Sequence, residues 1–203
     1  MLQSFILSII TEPMETIYLI ITACIIASAI DVDESVNKIP AIVSIVKMLI
    51  LWVIGGMVYV LIEILYRGYS HWTMFILGGI CFIEIGVENE LNPSWDIPIE
   101  IQALIGAIII TANEFICGCL INIGYGMNVW DYSNVPFNVM GQICIPFSIA
   151  WFFIAIVAII VDDKIRYVLF REELPHYDSL IFHRTFYLTT NPNLIKKCHR
   201  FGA

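Results

Sequence analysis

The feature that most constrains this chain is a stretch of thirty residues, 132–161, that contains no Asp, Glu, Lys or Arg. A helix needs only about 20 predominantly apolar residues to span the hydrocarbon core of a bilayer. Over all 203 residues, 59% are apolar and 14% are charged, whereas soluble domains are usually about 45–50% apolar and about 25% charged. The sequence therefore predicts a membrane protein. It argues against a water-soluble enzyme, a secreted disulfide scaffold or a disordered tail.

Five apolar segments, separated by polar turns, predict an all-α membrane bundle of about five transmembrane helices. The segments are residues 14–30, 41–66, 72–87, 99–123 and 137–161. The first is at the lower length limit for a span, so whether it crosses the membrane stays open. We expect an N-terminal segment (1–40), a core membrane domain (41–161) and a tail (162–203). Pro136 and Pro146 are expected to break or kink the last helix.

The basic residues are concentrated after the last apolar segment. Residues 1–161 contain three Lys or Arg and thirteen Asp or Glu, whereas residues 162–203 contain seven and five. Short loops rich in Lys and Arg remain in the cytoplasm, so we expect a cytoplasmic C-terminus and an external loop at 124–136. In this topology the turn that begins at Arg67 is external, so Arg67 does not follow the rule. A nucleic-acid partner is not expected, since no basic stripe with interleaved aromatic residues occurs.

The motifs of enzymes and metal sites are missing from the sequence. Five of the six cysteines lie in apolar segments, where cysteine behaves as a small hydrophobic residue. Cys117 and Cys119 are two positions apart and point to different sides of a helix, so neither a metal nor another cofactor is expected. The chain has no phosphate-binding Gly-x-x-x-x-Gly-Lys-Ser/Thr loop, no His-Glu-x-x-His and no Gly-x-Ser-x-Gly. We therefore assign no catalytic residue.

An internal repeat is one interpretation of two similar stretches. Residues 69–82 align with residues 132–145 at an offset of 132 − 69 = 63, with five identities in fourteen positions, including Gly78 with Gly141. Coincidence in a low-diversity apolar sequence is the alternative. A duplication would make residues 41–87 and 99–161 parallel helix pairs, related by an axis along the membrane normal.

The segment around residue 130 resembles a known family signature. It contains Trp130, Asp131, Tyr132, Ser133, Pro136, Phe137, Asn138 and Gly141. This stretch is similar to the signature of the putative ABC-transporter type IV permease family of bacterial membrane proteins, and the resemblance covers about residues 48–165. It implies a transport role in the bacterial cytoplasmic membrane. It also implies a separate ATPase subunit as partner, because this chain lacks the phosphate-binding loop.

Glu114 is the residue that most strongly indicates a site, because it lies about two-thirds of the way along a predicted span. Burying an acidic side chain near a helix centre costs about 2.5–3.5 kcal/mol on insertion scales. Such a residue should face protein or water, with Glu63, Arg67 or Asn113 as the expected neighbours. A structural, hydrogen-bonded glutamate and a functional one are both open at this point.

Five polar residues fall in the outer half of the predicted bundle and form the candidate substrate pocket. Glu63 and Arg67 are spaced i, i+4, which also suits a simple ion pair at the membrane edge. His71 is included because histidine is the side chain best suited to proton exchange near neutral pH, and Asp131 between two aromatic residues also fits an interfacial loop. The candidate substrate-binding residues are Glu63, Arg67, His71, Glu114 and Asp131.

Three functions remain open from the sequence. The first is a permease-like transporter component with an intramembrane acidic site, and the second is a membrane scaffold or modulator of a partner protein that does not itself transport. The third is a membrane enzyme that acts on a lipid-linked substrate with Glu114 or Glu63 as acid or base. The expected partners are the lipid bilayer, a separate ATPase or another membrane protein, and a second copy of the chain.

Overall fold

The computed structural model describes residues 38–91, 97–172 and 174–189. Four helices follow in chain order, and we number them α1 to α4. They are α1 (Lys38–Arg67), α2 (Trp72–Leu91), α3 (Ile99–Gly118) and α4 (Ile145–Ile165). A π-helical turn, Cys119–Gly124, extends α3, and another, Arg166–Phe170, extends α4. Two antiparallel hairpins complete the fold: β1 (Asn138–Val139) with β2 (Ile143–Cys144), and β3 (His176–Ser179) with β4 (Arg184–Tyr187).

Three helical stretches in the described part of the chain are long and apolar enough to cross a membrane. They are Val43–Arg67, Ile99–Gly124 and Ile145–Phe170, and Trp72–Val87 is a shorter apolar helix. A row of exposed apolar side chains along α4, spaced four apart, faces outward: Ile145, Ile149, Phe153 and Val157. Such a row suits contact with lipid. The membrane class is confirmed, but the number of five spans is not, and the predicted first segment (14–30) lies outside the described residues.

Helix α2 packs against the other three helices and forms the centre of the bundle. Its buried stripe consists of Met74, Leu77, Cys81 and Ile85, spaced three or four residues apart. The turn before it is short, because Gly68 has a φ of 82° and its N–H donates to the carbonyl of Ile64 at 2.9 Å. A glycine in this left-handed conformation is a common end of a helix.

The crossing of α1 and α2 is very close because glycines lie on both helices. A Cβ added at Gly78 would overlap the Cβ of Tyr59, and one added at Gly55 would overlap the Cβ of Phe82. Small residues allow helix backbones to approach in a membrane, where van der Waals packing replaces the hydrophobic effect as the driving force. The expected helix contact at Gly78 is therefore confirmed.

The last span begins later than the sequence analysis placed it. Residues 137–144 form the β1–β2 hairpin, and α4 begins only at Ile145, with Pro146 in its first turn. Proline suits this position because the first N–H groups of a helix have no partner within it. Pro146 therefore starts the helix instead of kinking it.

The internal repeat is not confirmed. Residues 72–82 are helical, whereas the aligned stretch around Gly141 is a loop and a hairpin. Gly141 has a φ of 71° and lies against Asp131 and Ser133. The expectation that this glycine lies at a helix contact is wrong, because its position requires a turn.

Two ends of the bundle can be distinguished. The loop side contains the turn at 68–71, the π-helical turn of α3 and residues 125–144. On the tail side, α4 continues past Asp162 and Asp163, although these residues were expected to follow the end of the span. They are 1% and 4% exposed, because Asp162 pairs with Arg166 one turn later and Asp163 accepts a hydrogen bond from Tyr177 Oη at 2.8 Å.

Candidate functional site

Glu114 lies in α3 near the loop side and is only 2% exposed. Its two carboxylate oxygens accept hydrogen bonds from different parts of the chain. Trp151 Nε1 in α4 donates to Oε2 at 2.9 Å, and Tyr132 Oη in the loop donates to Oε1 at 2.9 Å. The side chain therefore points into the bundle with both oxygens engaged, as its depth in the span requires.

Tyr132 closes the site from the loop side. Its ring stacks on Phe147 with centroids 4.7 Å apart. Burial and the neighbouring Glu114 carboxylate raise the pKa of Tyr132 well above its ordinary value. The phenol thus remains protonated and donates to Glu114. Because Tyr132 belongs to the family-like signature, this contact connects that signature directly to the intramembrane acid.

Trp151 connects the same site to α1. Its ring stacks on Tyr59 with centroids 5.7 Å apart and an interplanar angle of 27°. Sequence spacing gave no signal for this contact, because Trp151 is 37 residues from Glu114 and neither Trp151 nor Tyr59 is charged. The hydrogen-bond partners of Glu114 are therefore aromatic donors. Asn113, one of its expected neighbours, donates instead to Glu84 of α2.

Glu63 and Arg67 form the ion pair that their spacing predicts. Arg67 Nη2 lies 2.7 Å from Glu63 Oε1, and Ser70 Oγ donates to the other carboxylate oxygen at 2.6 Å. Arg67 Nη1 also donates to the carbonyl of Val129 at 2.7 Å. The pair therefore fastens the end of α1 to the loop that carries Tyr132. Glu63 also neutralises the positive charge of Arg67, which does not follow the rule that basic residues remain on the cytoplasmic side.

His71 and Asp131 have local partners. His71 Nδ1 lies 2.8 Å from Thr73 Oγ1. Asp131 is exposed and accepts hydrogen bonds from the amide and hydroxyl of Ser133, at 2.8 and 2.5 Å, which hold the pKa of its carboxyl below the usual range. Both residues lie on the loop side, and these hydrogen bonds connect them to Thr73 and Ser133, not to Glu114.

A buried amide network, which the sequence analysis missed, holds the loop over the bundle. Asn122 Nδ2 donates to the carbonyl of Trp130 at 3.0 Å and to Gln142 Oε1 at 2.8 Å, and Asn122 Oδ1 accepts from the N–H of Val129 at 2.7 Å. Trp130 Nε1 donates to the carbonyl of Gln142 at 2.9 Å. The signal that could have indicated it is the single amide of Asn122 at the end of an apolar segment.

Metal ligation has no support in the described ranges. They hold no group of three or more His, Cys, Asp or Glu that could bind a metal ion. Cys81, Cys117, Cys119 and Cys144 are free thiols. The site itself consists of the buried Glu114 carboxylate between an indole and a phenol, with the Glu63–Arg67 ion pair at the end of α1.

Comparison with known protein families gives a match over most of the chain. The family model described as putative ABC-transporter type IV matches residues 8–189. This range includes every helix described above and extends beyond the part of the chain that carries the signature. No curated protein and no solved structure matches the chain.

Proposed function

The chain belongs to the putative ABC-transporter type IV family, and from that premise we propose that it is a permease-like subunit of a transporter assembly. In this proposal Glu114 is the central group of an intramembrane acidic site. It takes up a proton or the cationic group of a substrate from the loop side. Glu63 and Arg67 lie above it, and His71 and Asp131 form the rim of the entrance.

The observation that supports this proposal is the double hydrogen bond to Glu114. A buried acid in a span is costly, and ionisable groups inside membrane proteins commonly mark ion or substrate pathways. Here the two donors come from α4 and from the signature loop. A movement of that loop would break the hydrogen bond from Tyr132 and keep the one from Trp151. The carboxylate would then have two environments, one with both donors and one with the indole alone.

The proposed orientation puts the C-terminus in the cytoplasm and the loop side outside the bacterial cytoplasmic membrane. It rests on the seven Lys and Arg after residue 161. A phosphatase that is active only outside the cytoplasm should be inactive when fused after Ala203 and active when inserted near Asn128. The reverse pattern would place the entrance of the site on the cytoplasmic face.

The assembly is tested by purifying the tagged full-length chain from its own membranes in a mild detergent and identifying the proteins that copurify. We expect an ATPase subunit, because this sequence has no phosphate-binding loop. A second, unrelated tagged membrane protein controls for non-specific capture. Another membrane protein without an ATPase would favour a scaffold or modulator. Turnover of a lipid-linked substrate that is lost in Glu114→Gln would favour a membrane enzyme.

A further inference from the structure

The tip of the β3–β4 hairpin exposes a run of large apolar side chains. Leu180, Ile181 and Phe182 are 51%, 70% and 65% exposed. Phe186, on the following strand, is also exposed and lies edge-on to Phe182 with ring centroids 5.8 Å apart. A contiguous apolar patch of this kind marks a surface that contacts something other than water.

The tip lies at the start of a membrane span. Glu100, the second residue of α3, accepts hydrogen bonds from Ser179 Oγ, from Leu180 N at 3.0 Å and from Ile181 N at 3.4 Å. The neighbouring Ile101 of the same helix is exposed, on a segment long enough to cross the membrane. The hairpin tip therefore lies at the end of a candidate membrane span that also exposes an apolar side chain.

Buried side chains of β3 attach the hairpin to the bundle. Tyr177 and Ser179 are buried and alternate with half-buried neighbours along β3, and Tyr177 donates to Asp163 of α4 at 2.8 Å. Tyr177 and Glu100 therefore hold the hairpin at two points, one on α4 and one on α3. This leaves the apolar tip outside the bundle in a defined position.

We propose that the β3–β4 hairpin is a membrane anchor whose Leu180, Ile181 and Phe182 insert into the lipid leaflet on the tail side. Leucine, isoleucine and phenylalanine side chains have favourable free energies of insertion into a membrane. Exposed Arg184 pairs with Ser179 in the hairpin register, next to the tip, where a cation meets lipid phosphates. The position of the tip at the end of the candidate span in α3 favours lipid over a protein as the occupant.

A fluorine label tests this proposal in the full-length protein. A trifluoromethyl-phenylalanine is incorporated at position 182, with the same label at Phe153 as the lipid control and at Asp131 as the aqueous control. Both controls are exposed residues, one within α4 and one in the loop. The protein is placed in nanodiscs of phosphatidylcholine and phosphatidylglycerol. The relaxation of each label is then measured with a nitroxide-bearing lipid and with a water-soluble gadolinium chelate.

We expect the ratio of lipid-induced to gadolinium-induced relaxation at position 182 to lie nearer the value at 153 than that at 131. A ratio nearer the value at 131 would overturn the proposal and leave the tip as a surface for a protein partner. If the variant labelled at position 182 does not elute from a size-exclusion column at the volume of the wild type, the measurement is repeated with the same label at Ile181.

Discussion

Replacing Glu114 with leucine is expected to destabilise the detergent-solubilised protein strongly, whereas replacing it with glutamine should leave its stability close to that of the wild type. Leucine removes the acceptor for two buried donors, Trp151 Nε1 and Tyr132 Oη, and each unsatisfied group costs about 1–3 kcal/mol. Glutamine keeps a carbonyl oxygen that accepts from the indole. Its amide group can donate to the phenol oxygen of Tyr132, because a phenol both donates and accepts hydrogen bonds. The measurement is the unfolding temperature of each variant.

Glu84→Gln is the matched control, because Glu84 is also a glutamate in an apolar helix and accepts a hydrogen bond from Asn113. It should behave as Glu114→Gln does in the stability measurement. A Glu114→Leu variant that unfolds at a higher temperature than the wild type would contradict the hydrogen-bonded site described here.

Replacing Gly78 with leucine is the second change with a large expected effect. Its Cβ would overlap the Cβ of Tyr59, close to the backbone of α1, so α1 and α2 must separate. Overpacking usually costs about 1–3 kcal/mol. We expect this variant to reach or exceed that range, because Tyr59 also stacks on Trp151 of the site. The measurement is the amount of monodisperse protein and its unfolding temperature.

Ala112→Leu provides the control for Gly78→Leu. Ala112 lies on the exposed face of α3, so the same enlargement points outward and should change stability little. Equal unfolding temperatures for Gly78→Leu and Ala112→Leu would show that α1 and α2 do not cross as closely as described.

The sequence predicts helices well where a polar turn bounds an apolar run. The segments 41–66, 72–87 and 99–123 match α1, α2 and extended α3 within a few residues. It fails at 137–144, because a charge-free hairpin has the same composition as a span. Phe137 and Met140 have positive φ values, which are typical of turns. Phenylalanine and methionine usually avoid this conformation, so their residue types do not predict it.

The candidate site follows the same division. The burial of Glu114 and the pairing of Glu63 with Arg67 could be predicted, because the cost of a charge in a span and the i, i+4 spacing are local properties. The role of Trp151 and the hydrogen bond from Tyr177 to Asp163 depend on contacts between segments that are far apart in the chain. Such contacts leave no periodic signal in a single sequence.

In the proposed function, Glu114 is a working group of a transporter subunit and not only a structural one. ATP hydrolysis by the purified assembly, with wild-type chain, Glu114→Gln or Glu84→Gln, tests this most directly. We expect all three assemblies to contain a copurified ATPase and to have similar unfolding temperatures, and we expect only the Glu114→Gln assembly to lose the ATP hydrolysis that depends on the membrane subunit. Hydrolysis by Glu114→Gln at the wild-type rate, or a purified chain without any ATPase, would contradict the proposed function.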